Sequence, residues 1–70
     1  MKKLLLLLLF VPLISFGQTA ESYNESGLEK NELKDYKGAI ADYTKAIELN
    51  PNYTAAYNNR AIAKYLTGLN

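Results

Sequence analysis

The sequence predicts an all-α fold built from stacked helical hairpins, and three observations predict it. Ala39, Ile40, Tyr43, Ala46 and Ile47 recur at i, i+1, i+4, i+7 and i+8, one continuous stripe along a helix. Asn50-Pro51 closes that stripe at a point where proline cannot continue a helix. Laid over itself, the chain brings Tyr23-Asn24 onto Tyr57-Asn58 and Lys30 onto Lys64, with Gly27 over Ala61 and Leu28 over Ile62. A period of about 34 residues with a helical hairpin inside it marks a repeat architecture.

Each helix has its own grounds. From Ala20 to Leu33 the small or apolar residues fall at Tyr23, Gly27, Leu28 and Leu33, and Glu21, Glu25, Glu29 and Glu32 take much of the rest. Acid in the first turn suits the helix dipole. Lys34-Asp35 breaks the pattern, and Asp35 can cap the next helix. That second helix runs to Leu49, with Asp42, Lys45 and Glu48 opposite the stripe at mutually supportive spacing. Asn50 can adopt the C-cap geometry there. The third helix reads from about Tyr53 to Leu66, with Tyr57, Ala61, Ile62, Tyr65 and Leu66 on one face. Thr67-Gly68 ends it, and Leu69-Asn70 looks like a turn.

The segment 1–17 reads differently. Lys2-Lys3 precede an unbroken apolar run from Leu4 to Val11, which Leu13 and Ile14 extend past Pro12. That order matches the n- and h-regions of a secretory signal peptide, and Ser15-Phe16-Gly17 offers small residues for cleavage before Gln18. The alternative is an uncleaved membrane anchor, although the run is short against the ~20 residues needed to span a bilayer. The Ser-Phe-Gly-Gln ending resembles export signals of Bacteroidetes bacteria, which implies an exported, periplasmic or secreted protein. With no cysteine, lipid attachment through an N-terminal Cys is excluded. The division is a signal peptide at 1–17, a first repeat at 18–53, and the first helix of a second repeat at 54–70.

From position 18 onward there are six Lys or Arg and seven acids, a formal charge of −1 with the signs interspersed. No basic stripe faces phosphates, so nucleic acid is not an expected partner. Near-neutral charge also disfavours a membrane-active peptide, which leaves the uncleaved segment as the one route to a membrane. The absence of Cys denies an exported chain of this size the disulfides it would often use.

The period and its residues together resemble the tetratricopeptide repeat family. Tyr23, Gly27, Ala39, Tyr43, Ala46 and Pro51 meet the family pattern. Ser26 and Lys30 depart from it, standing where Leu and Tyr are usual. The resemblance implies three helices in one and a half antiparallel helix-turn-helix repeats. Gly27 and Ala39 would let the first two helices approach closely, with Tyr23, Tyr43 and Tyr57 as core rings. Ala46 would receive the third helix around Tyr57 and Ala61. Tyr36, Tyr53 and Tyr65 would be free for other use.

Chemistry finds little to work with. The chain holds no His and no Cys, and no Ser or Thr has an evident activating base. It reads as a non-enzyme that needs no cofactor or metal. The four glutamates of the first helix form a solvated acidic face rather than a cation site. Asn24-Glu25-Ser26 and Asn52-Tyr53-Thr54 fit the glycosylation triplet, a short pattern that arises often by chance.

The resemblance also implies a binding surface for a protein or peptide. First helices of successive repeats line a concave groove, which here would show Asn24, Leu28 and Asn31, flanked by Glu21 and Glu32, then Asn58, Asn59, Ile62 and Tyr65. Asparagine offers both donor and acceptor to an extended backbone. A Lys/Asn carboxylate clamp is not supported, since only Asn59 fits it. Two functions follow: an exported interaction scaffold that is the N-terminal portion of a longer repeat protein, or the sensory or targeting head of a larger enzyme or signalling protein. Because about three repeats are needed for stability, residues 18–70 alone are expected to be marginally helical or to self-associate through the third helix.

Overall fold

The computed structural model describes residues 19–68. The expected signal peptide at 1–17 and the turn expected at Leu69-Asn70 lie outside the described residues. Three helices follow in order: α1 (Ala20–Glu32), α2 (Tyr36–Leu49) and α3 (Thr54–Gly68). The described residues contain no strand. Helix α2 packs along both α1 and α3, while α1 and α3 touch each other sparingly.

Local chemistry sets the boundaries. Thr19, in an extended conformation, caps α1 reciprocally with Ser22: the Ser22 N–H donates to Thr19 Oγ1 and the Thr19 N–H to Ser22 Oγ, both at 3.0 Å. At the other end Lys34 adopts a left-handed φ of 65°. The Asp35 N–H donates to the Lys30 carbonyl at 2.8 Å and the Lys34 N–H to the Asn31 carbonyl at 2.9 Å. That is the paired closure usually built on glycine. Asp35 then caps α2 as expected, its Oδ1 accepting from the Gly38 N–H at 3.0 Å.

Two boundary expectations are corrected. Asn50 closes α2 with φ −141° and ψ 91°, extended rather than left-handed. Its side chain instead accepts from the Asn52 N–H at 3.1 Å and its carbonyl from the Tyr53 N–H at 3.0 Å, so Pro51 sits at the favoured second position of a turn. Thr67 and Gly68 are the last described residues of α3 rather than a stop after Leu66. The Thr67 hydroxyl donates to the Ala63 carbonyl at 2.8 Å, and the helix runs through Gly68.

The core is two alanine-centred clusters. Ala20, Ala46 and Ala56 bring one methyl from each helix together under Tyr23, Ile47 and Tyr53. Ala39 and Ala63 flank Tyr43, with Ile40 packed against them. Tyr43 is the one large side chain among the described residues that is fully buried. Its ring lies on Gly27, where a Cβ would stand 2.7 Å from Cδ1 and 2.9 Å from Cζ. Glycine at 27 is therefore a requirement of that ring.

The side that α3 turns to α2 differs from expectation. Ala56 and Ala63, two turns apart, face the core, whereas Tyr57, Ala61, Ile62 and Tyr65 are exposed. Tyr57 is thus not a core ring, at 41% exposure, and Tyr53, expected to be free, is one. Ala46 receives Ala56 and Tyr53 rather than Tyr57 and Ala61. The reason is visible in the repeat. The equivalents of Tyr57 and Ala61 in α1 are Tyr23 and Gly27, which α2 covers; α3 has no following helix among the described residues to do the same.

Candidate functional site

The groove residues lie on α1 and α3, and the structure brings one pair of them together. Asn59 Nδ2 donates to Asn24 Oδ1 at 3.1 Å across the two helices. Asn24 is only 7% exposed, so its carbonyl is committed to holding α1 beside α3. It also stands within a helix, where burial leaves no room for a glycan, while Asn52 lies in an exposed turn. Asn31 is half-buried, and its Oδ1 is buried with no hydrogen-bond partner. Leu28, Asn58, Ile62 and Tyr65 are exposed. Leu28 and Ile62, equivalent positions of the repeat, are 42% and 52% exposed and give the two helices matching apolar contacts.

A second polar constellation sits between α1 and α2. Ser26 Oγ donates to Asp42 Oδ2 at 2.6 Å, and Lys30 Nζ pairs with the same oxygen at 3.0 Å. Asp42 is largely covered, with 13% of its side chain exposed. Ser26 and Lys30 are the two positions that depart from the repeat pattern. One carboxylate therefore replaces an apolar contact by serving both at once. Sequence reasoning placed Asp42 opposite the apolar stripe, paired along its own helix with Lys45, and missed this role. The available signal was that both departures are polar and stand one helical turn apart on one side of α1.

Tyr43 completes the interior. Its hydroxyl is buried without a partner, and burial, helped by the neighbouring Asp42 charge, pushes its pKa above the ordinary value. Arg60 is held between helices: Nη1 donates to Thr44 Oγ1 at 3.3 Å, and the guanidinium lies 5.6 Å from the Tyr57 ring centroid.

A broad open depression of about 450 Å³ lies elsewhere, where Lys34, Asp35, Tyr36 and Lys37 of the α1–α2 turn meet Thr67. It shares no residue with the groove. Glu21, Glu25, Glu29 and Glu32 all face solvent, and the described residues hold no group of three or more acids, His or Cys spaced for a metal. No helix among them is long and apolar enough to cross a membrane.

The family model for the TPR repeat matches residues 27–68, from the Gly27 contact to the end of α3. The chain belongs to the tetratricopeptide repeat family. Among similar TPR proteins, the tetratricopeptide repeat protein 36 homolog of Nematostella vectensis is 41% identical over 51 residues, covering 73% of this chain and 28% of that protein. The small glutamine-rich tetratricopeptide repeat-containing protein 2 of Mycosarcoma maydis is 48% identical over 44 residues, 63% of this chain and 12% of that one. Mouse DnaJ homolog subfamily C member 7 is 43% identical over 49 residues, 70% of this chain and 10% of that one. The chain thus matches between about a tenth and just over a quarter of these relatives. No solved structure matches it. TPR proteins are generally non-enzymatic scaffolds whose repeats mediate binding to protein partners.

Proposed function

We propose that this chain is an exported TPR interaction module whose α1–α3 groove grips an extended peptide segment of a partner protein. One observation carries the groove: the Asn24–Asn59 bond holds α1 beside α3 while leaving Leu28, Asn58, Ile62 and Tyr65 exposed around it. The exposed pair Leu28 and Ile62 supplies apolar contact, and the exposed Asn58 supplies hydrogen-bonding capacity to a backbone. Export is supported by the order of charge, apolar run and small residues in 1–17. In this reading the repeat and a half is the N-terminal portion of a longer scaffold.

The test is a peptide-array screen on the full chain, read against Leu28→Glu and Asn58→Ala. Selected peptides should lose affinity with both changes. Peptides that bind equally well to both variants would reject the groove. N-terminal sequencing of exported protein should begin at Gln18, and intact Met1 in a membrane fraction would favour the anchor instead.

A further inference from the structure

The two helices that form the groove carry different chemistry on equivalent rows. On α1, Glu21, Glu25, Leu28 and Glu32 stand at i, i+4, i+7 and i+11, a single row along the helix. Asn24 lies in the adjoining row, and its bond to Asn59 sets Glu21, Glu25, Leu28 and Glu32 along the groove. All four are exposed. One period on, the same row reads Ala55, Asn59, Ile62 and Leu66, and α3 contains no acid at all. The groove thus has an acidic wall and an uncharged, largely aliphatic one.

The chain itself does not answer the acidic row. Glu21, Glu25 and Glu32 have no Lys or Arg three or four residues away, and each has another glutamate at that spacing. Like charges so placed oppose a helix. Glu32 also closes α1, at the end where the helix dipole disfavours an acid. Helix α2, by contrast, interleaves Lys45 between Asp42 and Glu48. Lys30 is engaged by Asp42, and Arg60 is turned back onto Thr44 and the Tyr57 ring. None of the three glutamates makes an ion pair among the described residues.

Spacing narrows the occupant. Glu21 and Glu25 are about 6 Å apart along the helix axis, and Glu21 and Glu32 about 16 Å. An extended strand repeats its side chains about every 6.6 Å on one side and sends the intervening ones to the other. A segment lying along the groove therefore turns one set to α1 and the alternate set to α3. Resting on the peptide groove proposed above, we infer that its ligand is an extended segment of another protein in which basic residues alternate with aliphatic ones. The basic side chains pair with Glu21, Glu25 and Glu32, their methylene stems lying on Leu28. The aliphatic ones pack on Ile62 and Leu66, with Asn58 at the backbone.

The probes are three fluorescein-labelled heptapeptides, titrated with the full chain and read by anisotropy. One has three lysines alternating with leucines, and the others carry glutamine or glutamate in place of lysine. The lysine peptide should bind about tenfold more tightly than the glutamine peptide, three exposed charge pairs contributing about two- to threefold each. The glutamate peptide should bind more weakly still. Combining Glu21→Gln, Glu25→Gln and Glu32→Gln should erase the lysine preference while circular dichroism shows the helices intact. Lysine at the same three positions should transfer the preference to the glutamate peptide. Glu29→Gln, outside the row, should change nothing, and Ile62→Ala should weaken all three peptides. Equal binding of the lysine and glutamine peptides, a preference that survives the triple glutamine variant, or no binding of the lysine peptide would overturn the inference. If the glutamine peptide binds equally well and weakens with Ile62→Ala, the groove stands and only its charge class fails. If binding follows the glutamates but ignores both Ile62→Ala and Asn58→Ala, the groove fails and the inference with it.

Discussion

Replacing Gly27 with alanine sets two effects of known sign against each other. Alanine is the better helix former by about 1 kcal/mol, which favours the variant. Against it, the new methyl would stand 2.7 Å from Cδ1 and 2.9 Å from Cζ of Tyr43. That ring is fully buried and clustered with Ala39, Ala63 and Ile40, so it can yield only by displacing them. Overpacking of this kind costs about 1–3 kcal/mol, so the net expectation runs from no change to a loss of about 2 kcal/mol. In a domain of this size each ~1 kcal/mol moves the thermal midpoint by roughly 4–8 °C. The assay is far-UV circular dichroism melting of the parent chain, Gly27→Ala, Tyr43→Leu and the double variant. The two changes should couple, the double variant losing less than the sum of the singles. Ala61→Gly, at the exposed equivalent position, should lose only the propensity difference of about 1 kcal/mol. A higher midpoint for Gly27→Ala, or strict additivity in the cycle, would refute the reading that the Tyr43 ring dictates glycine.

Other outcomes follow from the same packing. Tyr43→Phe removes a buried hydroxyl that has no partner and should leave stability unchanged or raise it by about 1 kcal/mol in chemical denaturation. Because the folded pKa of Tyr43 lies above its ordinary 10.0, the parent should lose stability as pH rises past that value, and Tyr43→Phe should lose less there. Lys34→Gly relieves a left-handed backbone at φ 65° and should stabilise by roughly 0.5–1 kcal/mol, measured by the same melts. Asp42→Ala strips Ser26 and Lys30 of their shared acceptor and should cost about 1–2 kcal/mol; an unchanged midpoint would reduce that cluster to a surface contact.

The fold was largely legible because helix periodicity and a fixed repeat are carried by residue type alone. The α2 stripe needed only Ala39, Tyr43 and Ala46 at helical spacing, and those are its buried residues. The orientation of α3 was not legible in the same way. Its apolar residues outnumber what one neighbour can cover, and Ala56 and Ala63 are too small to stand out beside Tyr57, Ile62 and Tyr65. Which side is buried depends on what packs there, and that is a property of neighbours rather than of the stripe. Asp42 was misread for a related reason. Its role is set by Ser26 and Lys30 on the preceding helix, and spacing along one helix does not reveal a partner on another. Of the groove residues, the exposure of Leu28, Asn58, Ile62 and Tyr65 followed from position, but the use of Asn24 as an internal tie to Asn59 required the two helices to be placed side by side.

The alanine-centred core carries a calorimetric consequence. Apart from Tyr43, every buried hydrophobic side chain among the described residues is a single methyl, and the larger Tyr23, Ile40, Ile47 and Tyr53 are only partly covered, so a modest apolar surface leaves water when the helices close. The heat capacity of unfolding scales with that surface. A small heat capacity change flattens the dependence of stability on temperature. Such a module would neither gain much on cooling nor fail abruptly on warming, and its unfolding would be spread over a wide span of degrees.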